Sequence, residues 1–211
     1  CVVATSAFGE GINIHDIRHV VLYHLPFGRV AYNQMSGRAG RDGARAYVHL
    51  LFDAHDMRIN ERILSSAAPK RAVLVPIYRA LMTLFARAQK EERLLCATNE
   101  EIAALALAID PKNRSDERAV ACALDIFAEL GLLSLQGFDE KRNILMNIKA
   151  SSMDLASSAR YAEGLKTRSA FTSFAQWALS ASADELLSAI NKPIVPEFGI
   201  VVDGEEGVLY G

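Results

Sequence analysis

The sequence predicts an α/β unit followed by a mainly helical part, on three observations. Three short apolar runs in the first 52 residues are separated by turn signals and by one segment with room for a helix. Beyond residue 53 the apolar residues recur at helical spacing, which is typical of amphipathic helices. Two further apolar runs, joined by a polar turn near residue 140, predict a single hairpin within the helical part.

The α/β unit is predicted to span residues 1–52. The expected strands are 1–5, 19–23 and 46–52. A helix is expected over Arg29–Ala39, with Gly40 as its C-cap, because glycine tolerates the left-handed backbone that often ends a helix. Strands that alternate with a helix indicate parallel pairing.

The helical part is predicted to begin with a linker or helix at 53–71. Three helices and a hairpin follow within 72–150, which is the order of a winged-helix domain. The supporting signals are the helical face of 72–89, the capping box Thr98–Glu101, the cap Ser115, the stop Gly131, and the strands 132–135 and 144–148. Residues 151–211 are expected to form C-terminal helices, to about 179 and from 184 to 190, and a tail. Their aromatic residues at helical spacing, Phe171, Phe174 and Trp177, indicate a core rather than a base-stacking surface.

The composition excludes several classes of protein. The 211 residues hold 23 Lys and Arg against 25 Asp and Glu, so there is no global basic field for nonspecific nucleic-acid binding. Residues 1–52 hold five Arg against three acidic residues, whereas the rest of the chain is net acidic, so phosphate chemistry is expected near the N-terminus. Three widely spaced cysteines argue against a zinc ribbon and a disulfide framework, which favours a reducing cytoplasm. No apolar run approaches a membrane span, and no membrane partner is expected. Because the chain begins inside a strand-like run, we interpret it as the end of a longer polypeptide.

Two motifs near the N-terminus carry the strongest chemical signal: Thr5–Ile14, with the sequence TSAFGEGINI, and Gln34–Gly43, with the sequence QMSGRAGRDG. In phosphoryl transfer a guanidinium fork fits the charge that spreads over the γ-phosphate oxygens. Arg38 and Arg41 lie three residues apart and would share a face if the helix continued. The glycines at 37 and 40 allow the backbone to approach a ligand closely.

These motifs resemble motifs V and VI of the RecQ-like branch of the DEAD/DEAH superfamily-two helicases, over about residues 1–52. The resemblance implies a RecA-like second helicase lobe in which Arg38 and Arg41 face the phosphates, with Arg41 as arginine finger, and in which Gln34 positions the nucleotide or water. It also implies residues that couple DNA to the ATP cleft: Thr5 and Ser6 at the DNA, and Gly11, Asn13, Gly37 and Gly40 at the nucleotide.

Two departures from this family are informative. RecQ proteins usually follow this lobe with a four-cysteine zinc subdomain, which this chain lacks. There is also no Gly-x-x-x-x-Gly-Lys-Ser/Thr loop, so the half of the site that cradles the phosphates of ATP and Mg²⁺ is absent. The chain alone is therefore expected to bind no cofactor and to hydrolyse no ATP.

A second resemblance covers roughly residues 72–180. Phe127–Leu133, the hairpin and Asp154–Tyr161 are similar to the C-terminal region of RecJ-type single-strand-specific exonucleases. The resemblance implies a bacterial fusion of such a nuclease with a helicase module, acting on single-stranded or forked DNA in recombination and repair. Its Mn²⁺ or Mg²⁺ site of Asp and His residues would lie upstream. Two alternatives stay open: the end of a stand-alone RecQ-like helicase, and a non-catalytic winged-helix adaptor.

Two smaller sites have competing interpretations. Asp53–Asp56 offers metal-ligand types, but the preferred interpretation is a loop whose aspartates cap the next helix, so no metal site is predicted. In the expected recognition helix, Arg114 and Arg118 stand beside acidic residues, which favours a protein-contact or structural role there. The hairpin tip Lys141–Arg142 is the better DNA candidate.

Overall fold

The computed structural model describes residues 1–5, 14–137, 142–149 and 154–190. The helices and strands in these ranges are, in order, β1 His19–Tyr23, α1 Arg29–Ser36, β2 Tyr47–Leu51, α2 Ala54–Ala67, α3 Arg71–Lys90, α4 Asn99–Ile109, α5 Glu117–Glu129, β3 Leu133–Gln136, β4 Asn143–Met146, a 3₁₀ turn Leu155–Ser157, α6 Ala159–Ser180 and α7 Ala183–Ala189. No helix among them is both long enough and apolar enough to cross a bilayer.

The described residues divide into two compact units. Unit 1 contains residues 1–61 and 169–190, and unit 2 contains residues 62–168. Helices α2 and α6 each contribute residues to both units.

The sheet of unit 1 is a parallel pair. β1 and β2 align in register from His19 opposite Tyr47 to Tyr23 opposite Leu51, and α1 lies between them in the chain. This confirms the predicted parallel α/β unit. The strand predicted at 1–5 was wrong, since these residues have no regular structure and are exposed. A strand needs hydrogen bonds to a neighbour, and the described part of this sheet contains only β1 and β2.

The C-terminal helices of unit 1 pack against α1 through aromatic side chains. Tyr32 is 2% exposed, and its hydroxyl donates a hydrogen bond of 2.9 Å to the carbonyl of Leu186 in α7. Its ring lies 6.0 Å from that of Phe174 and 6.3 Å from that of Trp177. The guanidinium of Arg29 lies 4.8 Å from the centroid of the Trp177 ring, within the range of a cation–π contact. These contacts brace α1 along the side that faces α6 and α7.

Replacing Trp177 with Ala is expected to loosen this brace. The change removes the ring that contacts Arg29 and Tyr32, and the cost is about 2 kcal/mol because the ring is only partly buried. Hydrogen–deuterium exchange at the amides of α1 should then be faster. Gln176→Ala is the matched control, since its side chain is exposed on the neighbouring position of α6. Unchanged α1 exchange in the Trp177 variant would contradict the brace.

The core of unit 2 is formed by α3, α4, α5 and the hairpin of β3 and β4. α5 is central, and its fully buried residues include Val120, Leu124 and Phe127. The hairpin is antiparallel, with Leu133 opposite Met146, and the predicted order of three helices and a hairpin is present.

In unit 1, Phe171 and Phe174 are 1% and 4% exposed, which confirms the prediction that they are core residues.

Of the two side-chain helix caps predicted for unit 2, one is confirmed and one was wrong. The capping box of α4 is formed, because Thr98 accepts a hydrogen bond from the backbone N–H of Glu101, and the Glu101 side chain accepts one from that of Thr98. The cap predicted for α5 was wrong by one residue. Asp116, not Ser115, accepts a hydrogen bond of 2.8 Å from Ala119 N–H, because a carboxylate at that position reaches the first turn.

The C-terminal helices differ from the prediction at their start. Instead of one helix from residue 151, a short 3₁₀ turn at Leu155–Ser157 precedes α6. Asp154 starts that turn by accepting a hydrogen bond of 3.1 Å from Ala156 N–H, and such local side-chain bonds compete with an α-helix. α7 begins at a capping box of Ser182 and Glu185, a signal that the sequence contains and that the prediction overlooked. The predicted tail beyond residue 190, with Pro193 and Pro196, lies outside the described residues.

Candidate functional site

The Gln34–Gly43 motif begins on α1 and continues in the loop that leads to β2. α1 ends at Ser36, three residues before the predicted end, and Gly37 is its C-cap. The Gly37 N–H donates a hydrogen bond of 2.9 Å to the carbonyl of Asn33. A Cβ at Gly37 would lie 2.8 Å from that same oxygen, so the position admits only glycine without a shift of the backbone.

The prediction that Gly40 caps the helix was wrong. Gly40 forms the turn of the following loop instead. Its φ of +65° lies in the left-handed region, and a Cβ there would stand 2.8 Å from the carbonyl oxygen of Ala44. Because the helix stops at Ser36, Arg38 and Arg41 do not share a helical face. They lie instead in one compact loop, where Arg41 is exposed and Arg38 is half-buried.

This loop is anchored to the segment that enters β1. Gly40 N–H donates to the carbonyl of Ile17 at 3.0 Å, and Asp42 N–H donates to that of His15 at 3.2 Å. The guanidinium of Arg18 binds both carboxylate oxygens of Asp42, one of them at 2.9 Å. Residues 15–18, which directly follow the Thr5–Ile14 motif, are thereby joined to the loop that carries the two arginines.

The Arg18–Asp42 pair was not predicted from the sequence. The two residues are 24 positions apart, and no local pattern links an arginine before a strand to an aspartate in a loop. The hydrogen bonds from Arg18 and from the backbone N–H of Ala44 hold the pKa of Asp42 well below its usual range. Asp42 is therefore ionised throughout the neutral and mildly acidic range and keeps its two partners.

The pair predicts a loss of loop order in acid. A depressed carboxylate pKa stabilises the fold above the unfolded value of about 3.9, and this contribution is lost as pH falls through the lower folded value. Carboxyl NMR titration should therefore show Asp42 titrating below the value of about 3.9 for an aspartate in an unfolded chain. In Arg18→Gln the pKa of Asp42 should rise toward about 3.9. An Asp42 titration that is the same in both proteins would contradict the pairing.

The other predicted residues of this site are distributed as follows. Gln34 is exposed on the last turn of α1. Thr5 is exposed and lies in no regular element. Ser6, Gly11 and Asn13 lie outside the described residues, so the Thr5–Ile14 motif has a described geometry only at its two ends.

The Asp53–Asp56 segment is the helix cap that the sequence favoured. The carboxylate of Asp53 accepts hydrogen bonds from the backbone N–H groups of His55 at 2.6 Å and Asp56 at 3.2 Å, at the start of α2. Asp56 binds the Nδ1 of His24 at 3.0 Å. These carboxylates satisfy local donors and join the end of β1 to α2.

The residues of unit 2 that were considered as DNA contacts lie in the hairpin and at α5. Arg142 donates to the side-chain oxygen of Asn99 at 2.5 Å, and Lys141 lies outside the described residues. On α5, Glu129 accepts hydrogen bonds from Ser158 at 2.6 Å and Arg160 at 3.4 Å, so its carboxylate ties α5 to the start of α6. This agrees with a structural role for α5.

Comparison with known proteins shows a local similarity to helicases. Residues 1–43 match the helicase conserved C-terminal domain. The bifunctional 3'-5' exonuclease/ATP-dependent helicase WRN of Mus musculus is 48% identical over 64 residues, which are 30% of this chain. The probable ATP-dependent DNA helicase RecS of Bacillus subtilis is 35% identical over 80 residues, or 38% of this chain. The ATP-dependent DNA helicase RecQ of Bacillus subtilis is 40% identical over 65 residues, or 31% of this chain. These matches support a RecQ-like, superfamily-two helicase C-terminal region.

The matched part is a small share of each relative. It covers 5% of the mouse protein, 16% of RecS and 11% of RecQ from Bacillus subtilis. No solved structure matches the chain. The helicase C-terminal domain fits the parallel α/β unit of the N-terminal region, while the chain as a whole is mostly helical with two small sheets.

Proposed function

We propose that this chain is the C-terminal part of a bacterial protein in which a RecJ-like single-strand-specific exonuclease is fused to a RecQ-like helicase. The protein acts in the cytoplasm on single-stranded or forked DNA, in recombination and repair. The chain supplies half of an ATP site and the motif that couples it to DNA. The observation that carries the helicase part is the anchored loop of Gly37–Gly43, which is joined to the segment following the Thr5–Ile14 motif.

The position of this loop supports a shared nucleotide site. The loop meets the amino ends of β1 and β2, since Gly40 bonds Ile17 just before β1 and Tyr47 N–H, at the start of β2, bonds Arg18 at 2.8 Å. Open α/β sheets usually bind their own ligands at the carboxyl ends of the strands. Arginines at the opposite edge suit a nucleotide that another lobe holds, with Mg²⁺, in the manner of an arginine finger.

The proposed roles follow the family resemblance. Arg41 is the finger, Arg38 faces the phosphates, and Gln34 orients the nucleotide or the attacking water. The remaining assignments are DNA contact by Thr5 and Ser6 and nucleotide contact or coupling by Gly11, Asn13, Gly37 and Gly40. An added Cβ at Gly37 or Gly40 would meet a carbonyl oxygen of the chain itself, so the shape of the loop that carries the arginines depends on both glycines.

The nuclease part of the proposal rests on the resemblance of residues 72–180 to the C-terminal region of RecJ-type exonucleases. The three helices and hairpin of unit 2 form a winged-helix-like domain in this proposal. This domain also binds a protein partner. The Mn²⁺ or Mg²⁺ of the nuclease is held upstream of this chain. The mouse relative, whose name joins an exonuclease to a helicase, offers a parallel for such a combination.

The proposal is tested on the full-length protein. We expect ATP hydrolysis that DNA stimulates, and degradation of single-stranded DNA that requires Mn²⁺ or Mg²⁺. The 211-residue chain alone should do neither. Full-length protein without DNA-stimulated hydrolysis would refute the helicase assignment, and hydrolysis by the chain alone would refute the half-site.

The second candidate is a stand-alone RecQ-like helicase, which the similarity to RecQ of Bacillus subtilis favours. The two proposals differ in the sequence that precedes Cys1. A block of Asp and His residues with metal-dependent degradation of single-stranded DNA supports the fusion. DNA-stimulated ATP hydrolysis without such degradation supports the stand-alone helicase.

A further inference from the structure

Unit 2 contains an open cleft that the helicase motifs do not explain. It has a volume of about 380 Å³ and lies between the first half of α3 and the segment that follows α4. Its lining residues are Arg71, Ala72, Val75, Pro76, Arg79, Asp110 and Asn113. The lining therefore combines apolar side chains, among them Val75 and Pro76, with two guanidinium groups.

The cleft surface is positively charged. Arg71 and Arg79 are exposed and stand two helical turns apart on α3, which separates their Cα atoms by ~12 Å along the axis. Lys112 and Arg114, also exposed, flank the lining residue Asn113 and extend the charge beyond the cleft. An array of this length suits a polyanion better than a single small anion.

One carboxylate lies among the lining residues, and it is satisfied within its own loop. Asp110 accepts a hydrogen bond of 2.9 Å from the Asn113 side chain and one of 3.0 Å from Lys112 N–H. These bonds lower the pKa of Asp110, with the bond from Asn113 the largest cause. Asp110 is thus ionised and directs its oxygens to the loop, which fixes the segment that carries Lys112 and Arg114.

Two other described parts of unit 2, α5 and the hairpin strands, suit DNA less well. α5 buries most of its circumference in the core, and the side chains it leaves exposed or partly exposed include Glu117, Asp125 and Glu129 against a single cation, Arg118. Arg160 pairs with Asp125 and Glu129 and offsets part of this charge, but acidic groups still outnumber basic ones there, which disfavours a phosphate backbone. In the hairpin, Arg142 already donates to Asn99.

We propose that this cleft binds the sugar–phosphate backbone of single-stranded DNA through Arg71 and Arg79. Guanidinium groups bind phosphate oxygens in bidentate geometry, and the apolar lining residues Val75 and Pro76 accommodate the sugars or base faces. This inference deepens the proposed function by giving unit 2 a DNA contact of its own. It rests on that function only for the choice of DNA as the polyanion.

The test is fluorescence anisotropy of a labelled oligothymidylate with the 211-residue chain, over a series of salt concentrations. The Arg71→Gln/Arg79→Gln variant should bind at least tenfold more weakly at low salt. It should also lower the slope of log K against log salt by about 1.4, since each phosphate contact on a single strand contributes ~0.7. The matched control is Arg87→Gln/Lys90→Gln, which removes two exposed cations from the same helix outside the cleft. Its slope should remain near that of the unchanged chain.

Three results would overturn the cleft assignment. The first is an equal loss in both variants, which indicates a general charge effect. The second is no binding by the unchanged chain at low salt. The third is displacement of the oligothymidylate by an acidic peptide at lower concentration than by unlabelled DNA, which would assign the cleft to a protein partner. Circular dichroism of each variant verifies that it is folded.

The failure of this inference is distinguishable from failure of the proposed function. If the helicase assignment is wrong, the full-length protein lacks DNA-stimulated ATP hydrolysis, whatever the cleft variant does. If only the cleft is wrong, the Arg71→Gln/Arg79→Gln variant binds DNA as the control does, while stimulated hydrolysis persists in the full-length protein.

Discussion

The Arg41→Ala variant of the full-length protein is expected to hydrolyse ATP at least ~10³-fold more slowly, with nucleotide binding largely retained. The reason is that an arginine finger stabilises charge on the transferred phosphoryl group mainly in the transition state. Arg41 is exposed in a loop that backbone bonds from Gly40 and Asp42 hold in place, so removal of its side chain leaves the anchors intact. Steady-state hydrolysis and binding of a fluorescent ATP analogue measure the two effects separately.

Two further variants sharpen this result. Arg45→Ala is the matched control, because Arg45 lies in the same connection but its guanidinium stacks over the ring of Tyr47 at 5.3 Å. Its hydrolysis rate should remain close to that of the unchanged protein. Arg41→Lys keeps the charge but loses the planar fork, so a large defect is still expected. Normal turnover in Arg41→Ala would exclude Arg41 as the finger.

Replacing Phe127 with Ala is expected to have the largest effect on stability, about 3–5 kcal/mol. Phe127 is 0% exposed on α5, and its ring meets that of Tyr78 on α3 edge to face, with centroids 5.4 Å apart. The truncation removes this contact and leaves a cavity where α3, α5 and the hairpin converge. Urea denaturation followed by circular dichroism measures the change in the free energy of unfolding.

Leu107→Ala is the control for the Phe127 variant. Leu107 lies on α4 in the same unit and is 38% exposed, so its truncation creates little cavity. A loss well under 1.5 kcal/mol is expected there. If Phe127→Ala and Leu107→Ala destabilised unit 2 equally, α5 would not be the central helix of its core.

Local signals in the sequence predicted most of the elements. The capping box at Thr98 predicted the first residue of α4 correctly, because its two partners, Thr98 and Glu101, lie within four positions of each other. The apolar runs at 19–23 and 46–52 gave β1 and β2, and the Asp53 cap gave the start of α2. The N-terminal run at 1–5 failed because a strand depends on a neighbour, which composition does not reveal.

The boundaries of the candidate site were harder to predict. The glycine after Ala39 suggested a C-cap at Gly40, yet α1 already ends at Ser36. Gly37 is the C-cap, and Gly40 forms the left-handed turn of the loop that follows. The two arginines were expected on one helical face and lie in a loop instead. Spacing alone cannot distinguish these cases, because both glycines have the backbone freedom to end a helix.

The sequence by itself determined the chemical groups of the candidate site: the guanidinium groups of Arg38 and Arg41, the glycine before each of them, and the TSAFGEGINI motif upstream. It also determined the periodicities that make α5 a core helix. Only the tertiary structure decided that Arg18 clamps Asp42, that Tyr32 reaches α7, and that Arg71 and Asn113 share a cleft. The physical reason is distance along the chain. Caps and helical faces depend on residues a few positions apart, whereas these contacts join residues 24, 154 and 42 positions apart and form only once the elements have packed.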